Sequence, residues 1–64
     1  MKIQFNNKAQ LWAAVKILLD DEKVSLAMSN NHIIVNQADM KTLRLRPNNK
    51  SHYPSPLLQA VNLA

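Results

Sequence analysis

The chain contains no glycine among its 64 residues, and this absence limits both its turns and its ligand sites. Glycine adopts positive φ most readily, and phosphate loops and dinucleotide fingerprints need it where the backbone approaches an anion. The sequence therefore excludes both of these site types. Asparagine, present at eight positions, is the residue that we expect at left-handed turn positions instead.

The length predicts one small domain, 1–64, with a marginal core. A body of this size buries only roughly 60% of the surface that its unfolded form exposes. The chain has no cysteine, so neither disulfides nor thiolate metal sites add stability. Tight packing or self-association must compensate, and a homodimer or a partner-bound state is an open alternative.

Residues 11–19 form an apolar run that is too short to span a bilayer. Lys16 interrupts this run, and three acids follow it where a secretory signal would have a small-residue cleavage site. These features argue against membrane insertion and against secretion. We expect a cytoplasmic protein.

The first part of the chain reads as a short strand followed by a helix. Ile3 and Phe5 alternate with polar residues, as in a half-buried strand. Asn7 offers a side-chain acceptor to helix amides, and Gln10 is placed to reach back, so we predict a helix over 8–20. Its broad apolar arc comprises Leu11, Trp12, Ala14, Val15, Leu18 and Leu19.

The next segment carries the strongest structural signal, a predicted hairpin around Asn30 and Asn31. A two-residue type I′ turn there pairs Met28 with Ile33. In the same register Leu26 opposes Val35 and Val24 opposes Gln37. One side of the hairpin then collects Val24, Leu26, Met28, Ile33 and Val35, and the other collects Ser25, Ala27, Ile34 and Asn36.

Residues 42–46 alternate again, which predicts a third antiparallel strand with Leu43 and Leu45 facing inward. A helix beginning at Ala38 is the competing interpretation, and Pro47 would end it. After an Asn- and Pro-rich loop over 47–56, we predict a last helix through residue 63 that begins at a Ser–Pro pair. The predicted fold is a small two-layer α+β domain of order β-α-β-β-β-α, with a mostly antiparallel sheet and one main helix on one face.

All of the surplus positive charge lies beyond residue 39, since residues 1–39 carry as many acids as bases and the net charge is +4. On a strand, Arg44 and Arg46 would project to the same side about 7 Å apart, close to phosphate spacing. The competing interpretation is that these arginines protect an edge strand from aggregation. The predicted surface for an acidic protein or a nucleic acid comprises Lys41, Arg44, Arg46, Lys50, His52 and Tyr53.

Two further groups of residues carry side chains that could do chemistry. Ser51, His52 and Tyr53 place a hydroxyl, an imidazole and a phenol together, as a minimal nuclease would, but polar loop residues beside a helix have this composition too. The acids at 20–22 lack both the alternate spacing and the glycine of a calcium loop. We therefore expect no enzyme activity, no metal and no cofactor.

Three apolar residues could serve as interface anchors: Ile17, Trp12 and Ile34. The competing interpretations are that the last helix covers Ile17 and that Trp12 lies at the edge of the core. The sequence predicts a small non-enzymatic binding module, such as an accessory or inhibitor protein of a phage or plasmid. We expect it to dock on a host protein or a protein–nucleic acid complex through its basic C-terminal half. A dimeric regulator that binds nucleic acid directly is the alternative, and a nuclease toxin using His52 is the remote one.

Overall fold

A three-stranded sheet and three helices make up the computed structural model, which describes residues 1–47 and 49–64. In chain order the elements are strand β1 (Lys2–Gln4), helix α1 (Lys8–Lys16), a π-helical turn (Ile17–Asp21), strands β2 (Leu26–Ser29) and β3 (His32–Val35), and helices α2 (Gln37–Leu45) and α3 (Ser55–Leu63). The α+β class predicted from the sequence is confirmed. Within the described residues, no helix has the length and apolar character needed to cross a membrane.

The sheet is antiparallel throughout, with β3 in the centre and the order β1-β3-β2. The predicted hairpin register is confirmed, since Leu26 opposes Val35 and Met28 opposes Ile33. The turn itself differs from the predicted type I′, because positive φ occurs at the first of its two asparagines, Asn30 with φ 50°. Asparagine thus takes the left-handed position that glycine would usually fill.

The hydrophobic core lies between one face of the sheet and the helices. Ile3 of β1 and Ile33 and Val35 of β3 are buried on this face, whereas their neighbours along the strands are largely exposed. The helices contribute the other large buried side chains, which include Leu11, Leu18, Met40, Leu43, Leu57 and Val61. Among the described residues, no helix or strand covers the opposite face of the sheet, whose side chains are largely exposed.

Helix α1 begins as predicted, because the Asn7 side chain accepts a hydrogen bond from the Gln10 amide at 2.9 Å. Its end differs from the prediction. The Glu22 amide donates to the carbonyl of Ile17, five residues back, at 2.9 Å, and this wider turn shifts the helical register. Leu19, which belongs to the predicted apolar arc, is exposed, whereas Ile17, outside that arc, is buried.

The predicted strand over 42–46 is wrong, because α2 occupies this segment. The Asn36 side chain caps the helix by accepting a hydrogen bond from the Ala38 amide at 2.8 Å. Met40 and Leu43, three residues apart, are both buried, as one face of a helix requires. Arg46 then adopts extended geometry, which the following proline favours. The element order is thus β-α-β-β-α-α.

The last helix, α3, lies where the sequence predicts it and docks through Leu57 and Val61, which are buried. It contacts both α2 and β1. The loop predicted over 47–56 includes residue 48, which is outside the described residues.

We expect Lys23→Gly to stabilise the protein by about 0.5–1 kcal/mol, because Lys23 has φ 58° and a side chain in this region costs roughly 1–2 kcal/mol. Lys16→Gly is the matched control, since it removes the same charge from a right-handed position and should destabilise by about 1 kcal/mol. Urea unfolding measures both. Equal destabilisation by the two variants would contradict the interpretation.

Candidate functional site

The two arginines of the predicted basic surface do not project together from a strand. Arg44 lies in the last turn of α2 and Arg46 is the residue that follows this helix. Helical residues two apart point to different sides, so the parallel pair expected on an extended segment is not formed. The predicted contact of Arg44 and Arg46, side by side, with one polyanion therefore has no structural basis.

Arg46 is instead paired within the protein. Its Nη1 lies 2.7 Å from Oε2 of Glu22 and 3.4 Å from the Glu22 carbonyl oxygen. Glu22 is only 6% exposed, whereas the Arg46 side chain is 41% exposed. Because a buried carboxylate needs a compensating partner, the guanidinium is engaged in holding the fold.

Two other cations of the basic half also bind backbone carbonyls. Arg44 donates from Nη1 to the carbonyl oxygen of Ala64 at 2.6 Å, which ties α2 to the end of α3. Lys50 donates from Nζ to the carbonyl oxygen of Arg46 at 2.9 Å, just beyond the negative end of α2. Lys41 is exposed on α2, and its role in binding stays a prediction.

Tyr53 is buried, and it does not offer its hydroxyl to solvent. Burial, together with the negative charge of Glu22, raises the pKa of Tyr53 to about 12. The hydroxyl does not meet hydrogen-bond geometry with any described residue, although Glu22 acts on it electrostatically. His52 is exposed and packs edge-on against the Tyr53 ring at 5.0 Å. The predicted stacking or catalytic phenol is therefore turned inward.

The acidic residues at 20–22 also separate. Asp20 and Asp21 are exposed, whereas Glu22 faces the interior and pairs with Arg46. Within 1–47 and 49–64, no three histidine or acidic side chains are grouped closely enough to hold a metal ion.

The three predicted interface anchors have different environments. Ile17 is buried in the core and presents no surface to a partner. Trp12 on α1 and Ile34 on β3 are each about half-exposed, and Ile34 is 50% exposed although it lies on the central strand. Ile34 therefore marks the uncovered face of the sheet.

We call this uncovered face the open face, and cross-strand pairing defines its members. They form two rows, Lys2–Ile34–Ala27 and Gln4–His32–Ser29. Ile34 is its central apolar residue. All four acids of the chain are at 20–22 and 39, so the open face carries a cation and no carboxylate. The sequence indicated that Ile34 and Ala27 share this face, but Lys2 and Gln4 join it through pairing of β1 with β3.

Comparison with known proteins gives no relative for this chain, since no family model, no curated protein and no solved structure matches it.

We expect Arg46→Ala to destabilise the protein by about 2 kcal/mol. The expected loss of stability is smaller than the roughly 3–5 kcal/mol lost when one partner of a fully buried ion pair is removed, because the Arg46 side chain is partly exposed. Lys41→Ala removes one exposed charge from the same half and should change stability little. Thermal and urea unfolding compare the variants. The ion pair would have no structural importance if the two variants were equally stable.

The raised pKa of Tyr53 predicts a loss of stability in alkali. The folded protein holds the phenol proton more tightly than the unfolded chain, whose tyrosine ionises near pH 10. This contribution is complete below pH 10 and disappears as the pH rises towards 12. Absorbance at 295 nm follows the single tyrosine, with Tyr53→Phe as the blank. Ionisation near pH 10 while the protein remains folded would contradict the prediction.

Proposed function

We propose that the protein is a non-enzymatic binding module that docks on a partner protein through its open face. The observation that carries this proposal is the half-exposed Ile34 on the central strand. Exposed leucines and isoleucines are common on protein surfaces. Ile34, however, sits on the sheet face between Lys2 and Ala27, where no helix of the described fold covers it.

The composition of the open face fits a protein partner with an acidic rim. An apolar anchor surrounded by polar residues is the usual layout of a protein interface, in which a few central side chains supply most of the binding energy. Lys2 flanks the anchor, and the face has no carboxylate of its own to repel an acidic surface. Charge complementarity would speed association, helped by the net charge of +4.

The basic C-terminal half has a smaller part in this proposal than the sequence indicated. Arg44, Arg46 and Lys50 each hold a carbonyl or carboxylate of the protein itself. Their charges still add to the long-range field, but the contact surface moves to the sheet.

An accessory or inhibitor role, as phages and plasmids encode, fits a small domain with one preformed docking surface. The cytoplasm is the proposed setting, since the apolar run 11–19 supplies the core residues Leu11, Ala14, Val15 and Leu18.

We expect Ile34→Thr to weaken partner binding by about tenfold while the protein stays folded, because threonine suits a strand but removes the apolar anchor. Ile34→Glu should weaken it further by adding a like charge against an acidic rim. Leu19→Gln, a similarly exposed position on the helical side, is the matched control and should bind normally.

Pull-downs from an untreated and a nuclease-treated lysate, followed by titration of the captured protein, supply the measurement. Capture that nuclease treatment abolishes would favour the nucleic-acid alternative. Equal binding by all three variants would place the docking surface elsewhere.

A further inference from the structure

Strand β1 lies at an edge of the sheet, and at two positions its backbone N–H and C=O groups point away from β3. The Val35 amide donates to the Met1 carbonyl at 2.9 Å, and the Phe5 amide donates to the Asn31 carbonyl at 2.8 Å. In an antiparallel ladder the hydrogen-bonded pairs alternate, so Ile3 also bonds to β3 whereas Lys2 and Gln4 do not. The N–H and C=O groups of Lys2 and Gln4 therefore face the side of β1 that pairs with no other described strand.

A groove runs along this same edge. It has a volume of about 240 Å³ and is lined by Met1, Lys2, Ile3, Gln4, Pro56, Gln59, Ala60 and Leu63. Residues 1–4 line one wall of the groove. Because their side chains alternate between the two faces of the sheet, the groove follows the edge of β1. Helix α3 forms the other wall, where Leu63 is 81% exposed.

We propose that this groove binds an extended peptide segment of a partner protein, which adds to the sheet as a fourth strand beside β1. Outward-facing donors and acceptors at Lys2 and Gln4 match the backbone of one antiparallel strand, with up to two hydrogen bonds at each residue. Strand addition gives affinity through the backbone and specificity through alternate side chains. The inference rests on the proposed function, since it defines how the partner extends from the open face.

The helical wall favours a single peptide strand over a second copy of the chain. Residues of the incoming strand that face α3 enter the groove and are covered by Ala60 and Leu63. A second copy paired through its own β1 would bring its own α3 to the same side of the sheet, where the first α3 already lines the edge. A peptide brings no such helix.

The two walls also define the chemistry of the peptide. The residue opposite Ile3 points towards α3, where an aliphatic side chain fits between Ala60 and Leu63. The residue opposite Lys2 lies on the open face beside an ammonium group, where an acidic side chain is favoured. The residue opposite Gln4 shares that polar face. Because the new strand is antiparallel, its order from the N-terminus is polar, aliphatic, acidic.

The test uses the full chain labelled with ¹⁵N and a synthetic capped heptapeptide in which valine alternates with threonine and aspartate. A scrambled peptide with adjacent valines is the control probe. We expect binding of the alternating peptide alone, with hydrogen exchange slowed at the amides of Lys2 and Gln4. Gln4→Pro removes the outward-facing amide donor, along with the exposed 3.4 Å hydrogen bond from the Gln4 side chain to the Asn31 carbonyl, and should weaken binding about tenfold.

Leu63→Gln tests the groove without relying on a backbone change. Leu45→Gln is its matched control, because each leucine is the last residue of a nine-residue helix and is about 80% exposed. The first should weaken peptide binding about tenfold and the second should not change it. Ile34→Thr should also leave peptide binding unchanged. The proposal of strand addition and the proposal of open-face docking can therefore be contradicted separately.

Three results would overturn the proposal. They are equal binding of the scrambled peptide, peptide-induced shifts located away from β1 and α3, and self-association of the free chain that Gln4→Pro abolishes. The last would assign the edge to a second copy.

Discussion

The buried carboxylate of Glu22 connects the end of the first helical segment to the second half of the chain. It faces inward directly after the π-helical turn, and a charge placed there is unfavourable unless a cation compensates it. Arg46 supplies that cation from the end of α2. The same carboxylate acts on the buried phenol of Tyr53, so one group links the first helix, the second helix and the loop that precedes the third.

This use of charge inside the molecule changes what the basic composition means. Much of the positive charge beyond residue 39 lies on side chains that donate hydrogen bonds to backbone carbonyls or to the Glu22 carboxylate. In a domain with a marginal core, such bonds between elements that are distant in sequence help to fix their packing. The proposed anchor Ile34 lies on the sheet instead, and the outward-facing backbone groups of Lys2 and Gln4 lie at its edge. The surface that we propose for a partner is thus formed by the sheet and not by the basic C-terminal half.

Local chemistry explains which elements could be predicted. The cap at Asn7, the register between Met28 and Ile33, and the helix that starts at Ser55 all follow from signals within a few residues. The segment 42–46 could not be assigned by periodicity, because its leucines suit a strand and Met40 with Leu43 suits a helix. A local signal was available in Asn36, whose side chain begins α2 with Asp39 in the first turn.

The candidate site depended on contacts that are remote in sequence. Nothing near Arg46 indicates that its partner lies 24 residues earlier in the chain. Likewise, Lys2 and Gln4 reach the open face only because β1 pairs with β3, about thirty residues away. Residue types identified Ile34 as a surface residue, whereas the topology alone defines its neighbours.

The π-helical turn allows the first helix to hold one residue more than a regular α-helix would hold between the same end points. Deleting one residue between Ile17 and Asp21 would let regular α-helical winding resume, because a π turn holds one residue more than an α turn. After the deletion the glutamate would stand four residues after Ile17, where its amide makes the same hydrogen bond within a regular α turn, so the side chains beyond it would keep their directions. The glutamate would stay in line with Arg46, so a homologue that is one residue shorter here could keep the same ion pair.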